Sequence, residues 1–77
     1  SKAGDLLDMA VELEVIEKRG SYYYREGENL AQGRENAKQF LRENSDIADQ
    51  IETAVRQAMI PAENVDHTTV LETDEAE

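Results

Sequence analysis

Residues 16–30, Ile-Glu-Lys-Arg-Gly-Ser-Tyr-Tyr-Tyr-Arg-Glu-Gly-Glu-Asn-Leu, decide the fold of this chain. Tyr22-Tyr23-Tyr24 is a run of strand formers whose side chains fall on alternate faces. Gly20 before it and Glu26-Gly27 after it are turn signals, because glycine takes left-handed backbone at little steric cost. The stretch predicts a small antiparallel sheet of two or three short strands, near 15–18, 21–25 and 28–31. So small a sheet needs helices over one face to be stable.

Helical patterns flank it on both sides. Upstream, Leu6, Leu7, Ala10, Val11 and Leu13 recur at helical spacing, with Asp8, Glu12 and Glu14 between them. Asp5 is the expected cap, and the helix is expected to end near Glu14 or Val15. Downstream, Gly33 precedes a helix over 34–43 whose apolar stripe is Ala37, Phe40 and Leu41. Asn44-Ser45 breaks it. Ser45 is expected to cap a third helix from Asp46 to about Met59, with Ile47, Ile51, Ala54, Val55, Ala58 and Met59 facing the core. Pro61 stops that helix. The class is therefore α+β: one N-terminal helix, the sheet, and two C-terminal helices in a single domain over residues 1–60.

The remaining residues, 61–77, read differently. Eight Lys and Arg stand against eighteen Asp and Glu in the 77-residue chain, a net charge of −10. All eight cations precede Pro61. Residues 1–60 thus hold eight cations and twelve acids, net −4, while residues 61–77 hold six acids and no cation. Val65, Val70 and Leu71 cannot offset the entropy of ordering that segment, so it is expected to be a disordered acidic tail.

Composition excludes much. No Cys is present, so neither a disulfide nor a thiolate metal site is available. With a mean hydropathy of −0.73 and no long apolar run, no membrane span or membrane partner is expected, and no signal peptide is read. The simplest localisation is cytoplasmic. His67, the one histidine, falls in the tail, where neither a Ser-His pair nor a metal site with Asp66 can be held. Gly27 and Gly33 do not make a P-loop, because Arg34-Glu35 follows where Lys-Ser/Thr is needed. The chain is expected to have no catalytic residue, no metal site and no cofactor.

The cations are more informative. Arg34, Lys38 and Arg42 stand at i, i+4 and i+8, one stripe of a helix. Lys18, Arg19 and Arg25 come from the sheet. If sheet and helix adjoin, these six form a footprint for a phosphate backbone. The plainer reading is surface ion pairing, with Glu35 three residues before Lys38 and with Glu43 and Asp46 near Arg42.

Residues 28–44, Glu-Asn-Leu-Ala-Gln-Gly-Arg-Glu-Asn-Ala-Lys-Gln-Phe-Leu-Arg-Glu-Asn, closely resemble the C-terminal domain of bacterial RecA recombinases, and Gln32-Gly33-Arg34-Glu35-Asn36 is the most specific piece. Gly4-Asp5-Leu6-Leu7-Asp8-Met9 resembles that domain's first helix, and Glu17-Lys18-Arg19-Gly20-Ser21-Tyr22-Tyr23-Tyr24 its aromatic strand. The match runs from about residue 2 to 60 in the family's order.

The resemblance implies a regulatory lobe of a DNA-dependent ATPase that works in recombinational repair and the SOS response. The ATP and Mg²⁺ chemistry would belong to a core absent from this sequence, so the chain itself is expected not to be an enzyme. It further implies that the lobe captures incoming double-stranded DNA within the recombinase filament and that the acidic tail restrains this capture. The family's basic positions carry over to Lys18 and Arg34, with Lys38 following in the same helix. Arg19, Arg25 and Arg42 complete the candidate DNA-binding set. The sequence departs from the family at Tyr22, where Trp is frequent, at Asn29, where a basic residue is common, and at Ser45, where Pro is common. The alternative is a protein-interaction module that docks on the recombinase core or on filament regulators through Tyr22–Tyr24 or the acidic faces, with no direct DNA binding when isolated.

Overall fold

Ser1 opens the first helix. Its Oγ accepts a hydrogen bond from the Gly4 N–H at 3.2 Å, satisfying one of the amides a helix start leaves free. The expected cap, Asp5, instead lies inside the first turn, where its charge still complements the helix dipole. In the computed structural model, which describes residues 1–60, this helix is α1 (Lys2–Glu12). The expected acidic tail, with His67, lies outside the described residues. α1 stops short of Glu14 because Glu14 turns left-handed, with φ 64°. The Val15 and Ile16 amides then both bond back to the Ala10 carbonyl, at 2.8 and 3.0 Å.

Three strands follow: β1 (Glu17–Arg19), β2 (Tyr22–Arg25) and β3 (Glu28–Gln32), antiparallel in the order β1-β2-β3. Ile16, expected in the first strand, is instead a core residue just before it. Glu26 and Gly27 both have positive φ, 52° and 81°, as a two-residue hairpin turn matched to strand twist requires. The β2–β3 register shifts between Tyr23 and Tyr24, which pair with Ala31 and Asn29 and leave Leu30 over. Asn29 Nδ2 donates to the Tyr23 carbonyl at 3.3 Å beside this bulge.

Gly33 joins sheet to helix at φ 89° and ψ 148°, a region essentially reserved for glycine. Its N–H bonds to the Ser21 carbonyl at 2.6 Å and so ties the start of α2 (Arg34–Glu43) to the β1–β2 turn. α3 (Ser45–Met59) begins one residue earlier than expected. Ser45 is its first residue and not its cap; Asn44 holds the cap position without a side-chain bond to the helix. Asn44 closes α2 instead, since both its side-chain and backbone N–H groups donate to the Phe40 carbonyl, at 2.8 and 3.0 Å.

The α+β class and the element order follow the sequence expectation. α1 packs on α2 and α3, and α2 packs on β3. Leu7, Ala10, Ile16, Tyr23, Ala37, Leu41, Ile51 and Val55 form one buried cluster. Ala58 and Met59, expected in the core, are exposed. Val55 is the last buried residue of α3, and Met59 lines an open cleft with Leu6 and Met9 of α1. Among the described residues no helix is long and apolar enough to cross a membrane.

Candidate functional site

Lys18 and Arg19 are neighbours on β1, so their side chains leave the sheet on opposite faces. The register sets Lys18 against Tyr23 and Arg19 against Tyr22, and directly opposed residues share a face. Tyr23 is buried. Lys18 follows its ring, with Nζ 5.8 Å from the centroid, and donates to the Gly20 carbonyl at 2.6 Å. On the other face the Tyr22 and Tyr24 rings lie 6.5 Å apart. Arg19 stacks 4.9 Å over Tyr24 and is held by both oxygens of Glu17, at 2.8 and 3.1 Å.

On α2, Arg34 reaches across to α1. Its Nε donates to Asp8 Oδ1 at 3.3 Å and its Nη2 to Oδ2 at 2.9 Å, a two-pronged charge-assisted pair. Gly4, one turn before Asp8, makes the approach possible. A Cβ at Gly4 would lie 3.2 Å from Arg34 Nη2 and 3.7 Å from Lys38 Cε. Bare backbone at this position therefore lets Arg34 and Lys38 lie along α1. Lys38 is largely covered and donates to Glu35 at 3.3 Å, the i, i+3 pairing the sequence suggested.

The charges respond to this arrangement. The hydrogen bond from Arg34 is the main cause holding the Asp8 carboxyl below the usual carboxylate range, against a smaller opposing effect of burial, and the Arg34 and Lys38 charges add to it. The same bond raises the Arg34 guanidinium pKa, with a smaller pull from Tyr23. Asp8 therefore acts on both Arg34 and Lys38.

Arg34 and Lys38 are thus brought together over Gly4, Lys18 lies against the buried Tyr23, and the other three expected cations are placed elsewhere. Arg19 stands on the opposite face of the sheet. Arg25 sits at the β2–β3 turn, largely covered, with Nη2 3.9 Å from Glu26. Arg42 lines a cavity of about 290 Å³ with Lys2, Leu6, Ala48 and Asp49. Among the described residues it has no ion pair, so the pairing with Glu43 or Asp46 is not formed. Also among the described residues, no group of three His, Asp or Glu is arranged to hold a metal ion.

Sequence reading missed Asp8 and Gly4 as members of this site. Their i, i+4 spacing on α1 is visible in the sequence, but nothing local to that helix says that α2 will cross it there.

A three-stranded antiparallel sheet packed against α2 of a three-helix group, with Arg34 and Lys38 laid on α1, defines a small α+β lobe with no catalytic constellation among the described residues. Residues 4–60 match the family model for the RecA C-terminal domain, and the chain belongs to that family. The chain is similar to Protein RecA of Bartonella quintana (strain Toulouse), at 54% identity over 57 residues, which is 74% of this chain and 16% of that protein. Protein RecA of Roseiflexus sp. (strain RS-1) is 54% identical over 56 residues, 73% of this chain and 16% of its own length. Protein RecA of Acidothermus cellulolyticus is 49% identical over 59 residues, 77% of this chain and 17% of its own length. The chain thus matches about a sixth of the length of these curated relatives.

Proposed function

We propose that this lobe holds incoming double-stranded DNA for a RecA-type recombinase. The observation that supports this reading is the approach of Arg34 and Lys38 over Gly4 of α1, with Lys18 against the core residue Tyr23. Lysine and arginine side chains at a surface suit phosphate oxygens, contacts that position a duplex without reading its sequence. Binding is weak, independent of sequence, and steeply salt-dependent. The rest of the recombinase would supply the ATPase, with its ATP and Mg²⁺, in cytoplasmic recombinational repair and the SOS response. The acidic segment 61–77 would compete with DNA for the same cations, since net negative charge near a basic patch opposes a polyanion.

The test is fluorescence anisotropy of a labelled duplex at several salt concentrations, with the full chain and with Arg34→Ala. Loss of one phosphate contact lowers the slope of log affinity against log salt by about 0.9. Arg34→Ala is expected to weaken binding equally on unrelated duplexes. A change in sequence preference, or an unchanged slope, contradicts backbone contact.

A second reading is favoured by a different observation. Tyr22 on the sheet, and Met9 and Met59 on the helices, are exposed large apolar side chains. A protein-interaction role would place the sensitive residues there, with no direct DNA binding by the isolated chain. It predicts that Tyr22→Ala weakens docking on the recombinase core while Arg34→Ala does not.

A further inference from the structure

Arg34 is already occupied. One edge of its guanidinium, Nε and Nη2, faces Asp8 across 26 residues of sequence, and the pair sits at the surface with the two side chains 45% and 62% exposed. A carboxylate gripped this way presents two oxygens to the guanidinium, as a phosphate does. A phosphate that takes Arg34 must therefore displace Asp8 or share the cation with it. Asp8 also acts on Lys38, whose Cε lies with Arg34 Nη2 over Gly4. Within the group Glu35 also holds Lys38, by a single bond inside α2, whereas Asp8 grips Arg34 with both oxygens from another helix. Glu17 holds Arg19 on the other face of the sheet, and Glu52 holds Arg56 within α3, both away from the Lys18–Arg34–Lys38 group.

We propose that Asp8 is a built-in competitor for the phosphate site: it occupies Arg34 in the free domain, shares that cation with an arriving phosphate, and so moderates the lobe's affinity for duplex DNA. This inference rests on the duplex-binding reading above and adds a residue that sets its strength. It differs from the proposed competition by residues 61–77, because Asp8 is inside the folded domain and acts on one named cation. Shared occupation keeps Arg34 oriented toward the surface while preventing it from contributing a full phosphate contact.

The test compares the full chain with Asp8→Asn, Arg34→Gln and the double variant, by anisotropy of a labelled duplex between 50 and 200 mM salt. Asparagine keeps the shape and one acceptor and removes the charge. With Arg34 wholly instead of partly available to phosphate, a further fraction of one contact is gained and the salt slope steepens by up to about 0.9. The affinity advantage of Asp8→Asn over the parent chain then shrinks by up to roughly 3.5-fold across that fourfold change in salt. In the Arg34→Gln background the same substitution is expected to leave the slope unchanged. An equal gain with and without Arg34 would mean a general charge effect and would overturn the proposal. So would unchanged binding by Asp8→Asn in a domain whose parent binds and whose Arg34→Gln variant does not. Failure of the parent and of Asp8→Asn alike to bind duplex would overturn the duplex-binding reading itself, and the two failures are thereby distinguished. Asp8→Ser, carried through the same series, covers the case in which asparagine disturbs α1, and amide spectra of each variant establish that the fold is retained.

Discussion

Replacing Ile51 with Ala is expected to remove a large part of the domain's stability. Ile51 is fully buried on α3, in the one cluster that joins all three helices to the sheet through Tyr23. Deleting a buried Ile to Ala costs about 2–5 kcal/mol, because the removed methylenes leave a cavity that neighbours refill only in part. The gain in helix propensity returns no more than about 0.7 kcal/mol. A net loss of about 3 kcal/mol follows. The whole of a sixty-residue domain is worth only about 3–9 kcal/mol at ~0.05–0.15 kcal/mol per residue. For a domain this small each kcal/mol moves Tm by about 4–8 °C, so the expected drop is about 12–24 °C. Thermal unfolding of the full chain followed by circular dichroism reads it directly. Met59→Ala is the control: Met59 is 57% exposed, and its loss is expected to stay within about 0.5 kcal/mol. A drop for Ile51→Ala no larger than that for Met59→Ala would refute the placement of the core.

Other expectations follow from single positions. Gly33→Ala puts a Cβ where φ is 89° and ψ is 148°, at a cost of about 1–3 kcal/mol, and is expected to lower Tm although nothing crowds that Cβ closely. The Asp8 carboxyl, followed by carbon NMR against pH, is expected to titrate below the ordinary value of about 3.9, and to return toward it in Arg34→Gln. Its folded-state pKa is depressed, so the stabilisation is present above the unfolded pKa and is lost as pH falls through the folded one. A midpoint at or above about 3.9 in the parent chain contradicts the pairing. Gly4→Ala is expected to preserve the fold, because the nearest atom at 3.2 Å is the end of a flexible side chain, yet to displace Arg34 from Asp8. An unmoved Arg34 side-chain resonance argues against the close approach described for α1 and α2.

Much of this was legible in the sequence. The three tyrosines between Gly20 and Glu26-Gly27 specified the sheet, because turn chemistry and strand propensity agree there. The range of α2 was read as observed, since Gly33 before it and Asn44 after it leave little choice. The helix ends were less legible. Ser1 and Asp5 can both cap α1, and only the three-dimensional bond to the Gly4 amide selects Ser1. Ala58 and Met59 continue the apolar period of α3, but period alone does not say where the partner layer ends. The resemblance carried by Gln32–Asn36 pointed to the family that the matches to residues 4–60 establish. The candidate site was half legible. The stripe Arg34, Lys38, Arg42 was visible, and the separation of Arg19 from Lys18 follows from strand alternation once β1 is fixed. That α2 would lie on Gly4 and Asp8 is a tertiary fact that no local pattern carries.

The central claim is that Lys18, Arg34 and Lys38 form one surface for duplex phosphates. Amide and side-chain NMR shifts of the full chain, and of a version ending at Ile60, recorded at low salt while a short duplex is added, test it most directly. The account predicts shifts gathered at Lys18, Tyr23, Arg34 and Lys38, weak at Arg19 and Tyr22, and larger in the version without residues 61–77. No shift in either version, or shifts centred on Tyr22, Tyr24 and Arg19, would contradict it.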